Sequence, residues 1–321
     1  MKTVTQVILC VLGIALCYGC AAPLTINEMT INQIQFVGSH NSYKMAMSAA
    51  DMAALRIRNP AAAQSLDYAH ISLPAQLDLG LRKLELDVFF DPQQQRFPVG
   101  HVQRIDMNTQ CPSLRICLQQ VRNWSEQHPQ HIPIWISFNA KDQKVTGLPD
   151  PAPFTADALL QMDEIIEQIL AGRLIRPSDI QDLQWPTVHA SRGKFLLILD
   201  EGGDKRELYW QNWQARPMFT NAPVGHQAAA VMIVNDPIAQ GDEIRALVRA
   251  GYLVRTRADA DTVEARSGST RRRDAAFASG AQAISTDYYL PAQDTGYQVK
   301  ITSGVRCNPV SAPAGCRSPE Q

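Results

Sequence analysis

Leu84-Glu85-Leu86-Asp87-Val88 reads as a strand with two unlike faces. Side chains alternate across a strand, so Glu85 and Asp87 share one face while Leu84, Leu86 and Val88 share the other. The leucine and valine face belongs against covering helices. The carboxylate face then looks inward, where two like charges repel and lose hydration unless something positive lies near them. A hard cation with oxygen ligands answers that need.

Short apolar runs of the same kind recur on either side. They fall at Ile34–Gly38, Leu84–Phe90, Pro98–His101, Pro133–Phe138, Phe195–Leu199, Val231–Val234, Tyr252–Arg255 and Ala283–Ser285. Helical patterns lie between them at Ser65–Leu79, Leu114–Gln127, Ala156–Leu170, Lys205–Gln214, Asp242–Arg249 and Arg272–Ser279. Strands alternating with helices imply a parallel sheet. Eight strands over about 300 residues predict one closed (β/α)8 barrel of the TIM type. An open doubly wound sheet is the alternative, but no GxGxxG follows the first strand. No repeat or long linker divides the chain, and Gly147-Leu-Pro-Asp-Pro-Ala-Pro153 reads as a rigid loop, so a single domain is expected.

The chain of 321 residues is 45% hydrophobic and 19% charged, with a formal net charge of -1. That composition supplies a large core and argues against disorder. It lacks the basic excess of a nucleic-acid binder, so no nucleic acid is expected as a partner. Contact with a membrane surface would have to come from loops or local patches. Met1-Lys2, the apolar run Val7–Leu16 and the small residues Gly19, Ala21 and Ala22 follow the pattern of an export signal. The run is shorter than the roughly 20 residues that span a bilayer. Residues 1–22 are therefore expected to be a signal peptide and 23–321 the barrel domain, with no transmembrane helix in the mature chain. Secreted or periplasmic localisation follows. Cys17-Tyr-Gly-Cys20 is a degenerate lipoprotein site, which leaves lipid anchoring through Cys20 as the alternative to cleavage near Ala21 or Ala22. Three of the seven cysteines lie in this leader. The other four form close pairs, Cys111/Cys117 and Cys307/Cys316. Three connectivities are open, of which the local one is simplest. A zinc site is disfavoured, because neither pair has CxxC spacing or a neighbouring histidine.

Polar residues collect where the strands end. The first run closes as Phe36-Val-Gly-Ser-His40-Asn41-Ser42, the second carries Glu85 and Asp87, and Pro98-Val-Gly-His101 follows. Alone, each has a plain structural explanation: a histidine is more often structural or exposed, and Glu-x-Asp is more often a solvated strand face. In this order, at successive strand ends, they form a set that solvation does not explain. His70, His128, His131, His189 and His226 fall in helices or loops and receive no role. No GxSxG, HExxH or Walker-type loop is present.

Gly38-Ser-His-Asn-Ser-Tyr-Lys44 resembles the first catalytic motif of the calcium-dependent, phosphatidylinositol-specific phospholipases C of bacterial type. Arg82-Lys-Leu-Glu85-Leu-Asp87 and Gly100-His101 resemble the second and third. Ile136-Ser-Phe-Asn139-Ala-Lys141-Asp142 resembles the family's fourth-strand segment. The long runs Val254 to Arg266 and Gly280 to Tyr289 resemble its last two motifs. The resemblance spans about residues 32 to 290 and implies a phosphodiesterase that cleaves the glycerol-phosphate bond of phosphatidylinositol-type lipids. It implies that His40 and His101 flank the scissile phosphate as acid and base, without saying which is which. It implies Ca2+ held by Asn41, Glu85 and Asp87, and phosphate or inositol contacts from Lys141 and Arg255. In the family the inositol 2-hydroxyl attacks and a cyclic inositol phosphate forms. Asn139 departs from the pattern, since the family usually offers glutamate there. Its amide oxygen can still ligate calcium, but with one negative charge fewer, so Asn139 is expected to be a weak ligand. A glycerophosphodiesterase or sphingomyelinase D-like enzyme on the same barrel is the nearest rival. Asn139 also admits a non-catalytic lipid-headgroup binding protein, and Cys20 a structural envelope lipoprotein.

Overall fold

The computed structural model describes residues 24–319. The expected leader, residues 1–22 with Cys20, lies outside them. Among the described residues there are ten strands: β1 Ile34–Ser39, β2 Lys83–Val88, β3 Ile134–Ala140, β4 Leu174–Ile175, β5 Phe195–Leu199, β6 Met218–Asn221, β7 Ala229–Ile233, β8 Leu253–Arg257, β9 Ala283–Thr286 and β10 Val305–Cys307. Eight of them run parallel in the order β1-β2-β3-β5-β6-β7-β8-β9, and β9 pairs back onto β1 to close the barrel. The short β4 pairs in parallel with the first two residues of β5. β10 lies antiparallel along β1.

The alternation along β2 sets its environment as the sequence predicts. Leu84, Leu86 and Val88 join Leu118, Val121 and Ile166 in the layer between sheet and helices. The other strand faces send Phe36, Trp135, Leu196, Ile198, Phe219, Val231 and Leu253 into the barrel, where Ile26, Met29 and Ile31 from the N-terminal turns plug the floor. β1 and β2 approach closely where Gly38 pairs with Lys83. A Cβ at Gly38 would fall onto the backbone of Lys83, so only glycine fits there.

The helices Leu114–Gln127 and Ala156–Leu170 have the bounds expected from sequence. Ser113 and Thr155 cap them through their side-chain oxygens. Two expectations are corrected. Pro98–His101 is not a barrel strand but folds back from the end of β2 through isolated antiparallel bridges, Val88 to Val99 and Pro98 to Ser113. It follows β2 too closely for a parallel crossover, which needs a dozen or more residues. The missing barrel strand is β6, four residues between Pro217 and Pro223 and too short to show a period. Of the helix expected over Ser65–Leu79 only Leu73–Asp78 is a helix, and a separate short helix, Pro60–Ser65, ends where the expected one begins. Ser72 caps a fresh start, with Pro74 in its first turn. The loop between them carries Tyr68 and His70. An unexpected helix, Ala49–Arg58, precedes them.

Cys111 is bonded to Cys117 and Cys307 to Cys316, the local connectivity. The first bond fixes the start of the helix Leu114–Gln127. The second closes the tail beside β10. Peptide mapping of the unreduced protein should recover these two pairs alone, and crossed pairs or free thiols would contradict them. Reduction should destabilise the fold by up to roughly 2–3 kcal/mol per bond. Among the described residues, no helix is long and apolar enough to cross a membrane.

Candidate active site

β1 ends in a turn at His40 and Asn41. Asn41 takes φ +44°, a left-handed conformation that asparagine tolerates better than most residues. Four contacts fix the turn. His40 N–H donates to the Thr286 carbonyl at 3.0 Å. Glu85 N–H donates to Ser42 Oγ at 2.7 Å. His70 Nε2 donates to the His40 carbonyl at 2.7 Å. Asn41 Nδ2 donates to Tyr68 Oη at 2.8 Å. Burial lowers the His70 pKa to about 4, so His70 makes its contact as a neutral ring.

His40 Nδ1 lies 2.9 Å from Asp287 Oδ1, and its Nε2 lies 3.6 Å from Glu85 Oε1. Arg257 Nη2 is 3.3 Å from the other Asp287 oxygen. Burial lowers the His40 pKa and Arg257 adds to the effect, against the pull of Asp287 and Glu85. Burial would raise Asp287, yet His40 and Arg257 hold it below its ordinary value. An ionised Asp287 accepts, so His40 Nδ1 carries the proton and Nε2 is left as the basic atom.

Glu85 is 3% exposed at its side chain, and its Oε2 is held by Lys83 and, at 2.7 Å, by Arg255 Nη2. Burial opposes ionisation, but Lys83, Arg255 and His40 outweigh it and hold the carboxyl well below the usual range. Asp87 Oδ2 is 3.1 Å from Lys141 Nζ. Asn139, paired in register with Asp87 on the next strand, donates Nδ2 to Asp87 Oδ1 at 2.8 Å and to Glu85 Oε1 at 3.2 Å. The Gly100 N–H donates to the Asp87 carbonyl at 3.2 Å and brings the His101 hairpin alongside. His101 Nδ1 lies 3.2 Å from Asp106 Oδ2.

His40, Asn41, Glu85, Asp87, Asn139, Lys141 and His101 thus gather at the C-terminal rims of β1, β2 and β3, where active sites of this architecture form. Arg255 stands differently from the expectation of substrate contact. Its side chain is 3% exposed, and its guanidinium is engaged with Glu85 and with Asn235. It supports Glu85 from below. Sequence reasoning gave no role to Lys44, Arg257 and Asp287, although the runs that carry the resemblance contain them. It also missed Tyr68, Lys83, Asp106 and Asp200. Asp200 follows β5 and donates its N–H to the Phe138 carbonyl beside Asn139. Burial raises its pKa, partly offset by Arg255.

Among the described residues, no group of three or more His, Cys, Asp or Glu side chains is assembled as a metal cluster. The donor chemistry nevertheless suits a hard cation. Glu85 Oε1 and Asp87 Oδ1 converge on one amide nitrogen, so both reach a common point. Asn139 can turn its amide oxygen to that point, which would make an all-oxygen set of the kind calcium prefers, while the Asn41 amide is engaged with Tyr68. Lys83, Arg255 and Lys141 already balance the outer carboxylate oxygens, so the set fits a weakly held ion.

A family model described as "Phosphoinositide phospholipase C, Ca2+-dependent" matches residues 29–100 and 93–309. The fold is similar to that of a calcium-dependent phosphoinositol-specific phospholipase C from a Pseudomonas species, with 17% identity and a TM-score of 0.58 over 88% of this chain and 96% of that one. It is similar to a Ca2+-dependent phosphatidylinositol-specific phospholipase C from Streptomyces antibioticus, with 18% identity and a TM-score of 0.56 over 85% of this chain and 99% of that one. A phosphatidylinositol-specific phospholipase C from Listeria monocytogenes matches with 13% identity and a TM-score of 0.50 over 81% of this chain and 89% of that one. No curated protein matches the chain in sequence.

Proposed function

Because the chain belongs to the calcium-dependent phosphoinositide phospholipase C family, whose members are enzymes, we propose that it cleaves the glycerol-phosphate bond of phosphatidylinositol-type lipids by paired histidine acid-base catalysis. The observation that carries this reading is the placement of two carboxylate-backed histidines, His40 on Asp287 and His101 on Asp106, beside the Glu85, Asp87 and Asn139 cluster.

His40 suits the base. Its lowered pKa favours the neutral ring, and Nε2 is its free nitrogen. It takes the proton of the inositol 2-hydroxyl as that oxygen bonds to phosphorus. His101 gives a proton to the diacylglycerol oxygen as its bond to phosphorus breaks, leaving a cyclic inositol phosphate. Lys141, on the rim at 26% side-chain exposure, contacts phosphate or inositol oxygens. Arg255 keeps Glu85 ionised and in place. Asn41, Glu85 and Asp87, with Asn139 as a weak fourth ligand, would hold calcium, which when bound offsets the negative charge of the phosphodiester.

Residues 1–22 act as an export signal in this reading, consistent with two disulfides in the mature domain. The enzyme then meets lipid as a secreted or periplasmic protein, or one anchored through Cys20. Turnover assays with calcium and with chelator test the activity, using phosphatidylinositol, a glycerophosphodiester and sphingomyelin. Cyclic inositol phosphate from phosphatidylinositol, suppressed by chelation, is the expected result. Turnover of either other substrate instead would move the assignment to the rival phosphodiesterases, and no turnover to a headgroup-binding protein.

A further inference from the structure

Asp106 has no role in the reading above beyond its contact with His101, yet it is set with unusual care. It follows His101 by five residues across a tight hairpin. The His101 and Val102 N–H groups donate to the Asp106 carbonyl at 3.0 and 3.1 Å, and the Asp106 N–H donates to the Val102 carbonyl at 2.8 Å. Arg104 at the tip takes φ +61°. The Asp106 side chain is 0% exposed, and its Oδ2 lies 3.2 Å from both His101 Nδ1 and Lys44 Nζ. Its Oδ1 has no partner. Lys44 is equally buried. Its ammonium donates to the Met45 carbonyl at 3.3 Å and sits 4.9 Å over the Tyr68 ring.

A buried ion pair of this kind seldom stabilises a fold beyond what well-packed apolar side chains would achieve, because both charges lose their hydration. An oxygen left without a donor adds to that cost. Stability alone therefore gives a poor account of Lys44 and Asp106. Orientation gives a better one. A carboxylate on imidazole Nδ1 selects the tautomer protonated there and fixes the plane of the ring. The Lys44 ammonium holds the carboxylate, and the Tyr68 ring lies against the ammonium. Tyr68 also accepts from Asn41, so one connected network reaches both histidine turns.

We propose that Asp106, held by Lys44, is a positioning residue that keeps the His101 proton on Nδ1, so that Nε2 is the nitrogen that exchanges a proton with substrate. This rests on the reading that His101 acts on the phosphodiester. A proton given up from the doubly protonated ring then always leaves from Nε2, and the ring returns to the Nδ1–H form with Asp106 still accepting. Lys44 and Asp106 themselves never touch the substrate.

Nitrogen-15 histidine side-chain spectra of the mature protein test this, because Nδ1–H and Nε2–H rings have distinct signatures, with His101→Gln identifying the signal. The wild type should show the neutral His101 ring as Nδ1–H. In Asp106→Asn, whose amide can donate to Nδ1, the signal should change to Nε2–H. The kcat should fall about 100-fold or more with KM little changed. Asp106→Glu should restore the Nδ1–H signal. Lys44→Gln should give a mixture of the two forms, since the carboxylate is no longer held. A wild-type His101 in the Nε2–H form would overturn the proposal, even if no Asp106 variant folds. So would Asp106→Asn with an unchanged signal and wild-type kcat. Full turnover in His101→Gln would instead defeat the catalytic reading of His101, and the tautomer measurement would still decide the role of Asp106.

Discussion

His40→Ala is expected to lower kcat on phosphatidylinositol by about 1,000-fold, within the range that a positioned acid or base contributes, while KM changes little. The reason lies in the surroundings of one ring. Asp287 engages Nδ1 at 2.9 Å, Arg257 steadies Asp287 from its other oxygen, and Nε2 remains to take a proton. No other imidazole can replace it, since His70 makes its contact to the His40 carbonyl and His101 is tied to Asp106. The fold should survive, because the barrel layers do not depend on the ring. Melting temperature measured beside turnover separates loss of chemistry from loss of structure. A variant that folds and keeps kcat within tenfold of the wild type would remove His40 from the mechanism. The pH profile gives a second measure. A base must be neutral to accept, and burial followed by Arg257 lowers the His40 pKa from 6.5. The acid limb of kcat/KM should therefore fall below that value. Asp287→Asn removes a charge that raises the pKa, so the limb should move further toward acid.

Much of this arrangement is legible along the chain, and its failures have physical causes. The alternation in Leu84 to Val88 places two carboxylates inside a barrel and three apolar side chains beneath helices, as found. Helices Leu114–Gln127 and Ala156–Leu170 announce themselves by amphipathic period and by capping side chains. Met218–Asn221 is too short to show a period, and Pro98–His101 has a strand's composition without the chain length that a parallel neighbour requires. At the site, residue types are visible but partners are not. His40 and Asp287 are 247 residues apart, and only closure of β9 onto β1 brings them together. Arg255 shows the converse. A conspicuous arginine in a long motif suggests a phosphate ligand, whereas its place on β8 beneath Glu85 makes it a counter-ion.

The largest change in calcium affinity is expected from Asn139→Glu, with effects of opposite sign in the free and loaded protein. In the free protein Asn139 donates to both Asp87 Oδ1 and Glu85 Oε1. Glutamate cannot donate, and it sets a third carboxylate against two that are already buried. The calcium-free variant should therefore lose about 2 kcal/mol of stability, seen as a lower melting temperature in chelator. Lys141 limits the loss by sharing its charge across the cluster. With calcium the balance reverses. The new carboxylate faces a divalent ion and adds a charged oxygen where the wild type offers a neutral amide. Affinity should rise about tenfold or more, equivalent to about 1.4 kcal/mol. Calorimetric titration reads that directly. Because a ligand that binds only the folded state stabilises it by RT ln(1 + [L]/Kd), the calcium-induced rise in melting temperature should be larger in the variant than in the wild type. Asp87→Asn should weaken binding in the same titration by removing one of the two native carboxylates. If neither wild type nor Asn139→Glu takes up calcium, and wild-type turnover survives exhaustive chelation, the cation has no place here. Lys141 would then have to meet the phosphate charge alone, with Lys83 and Arg255 left as the internal balance to Glu85.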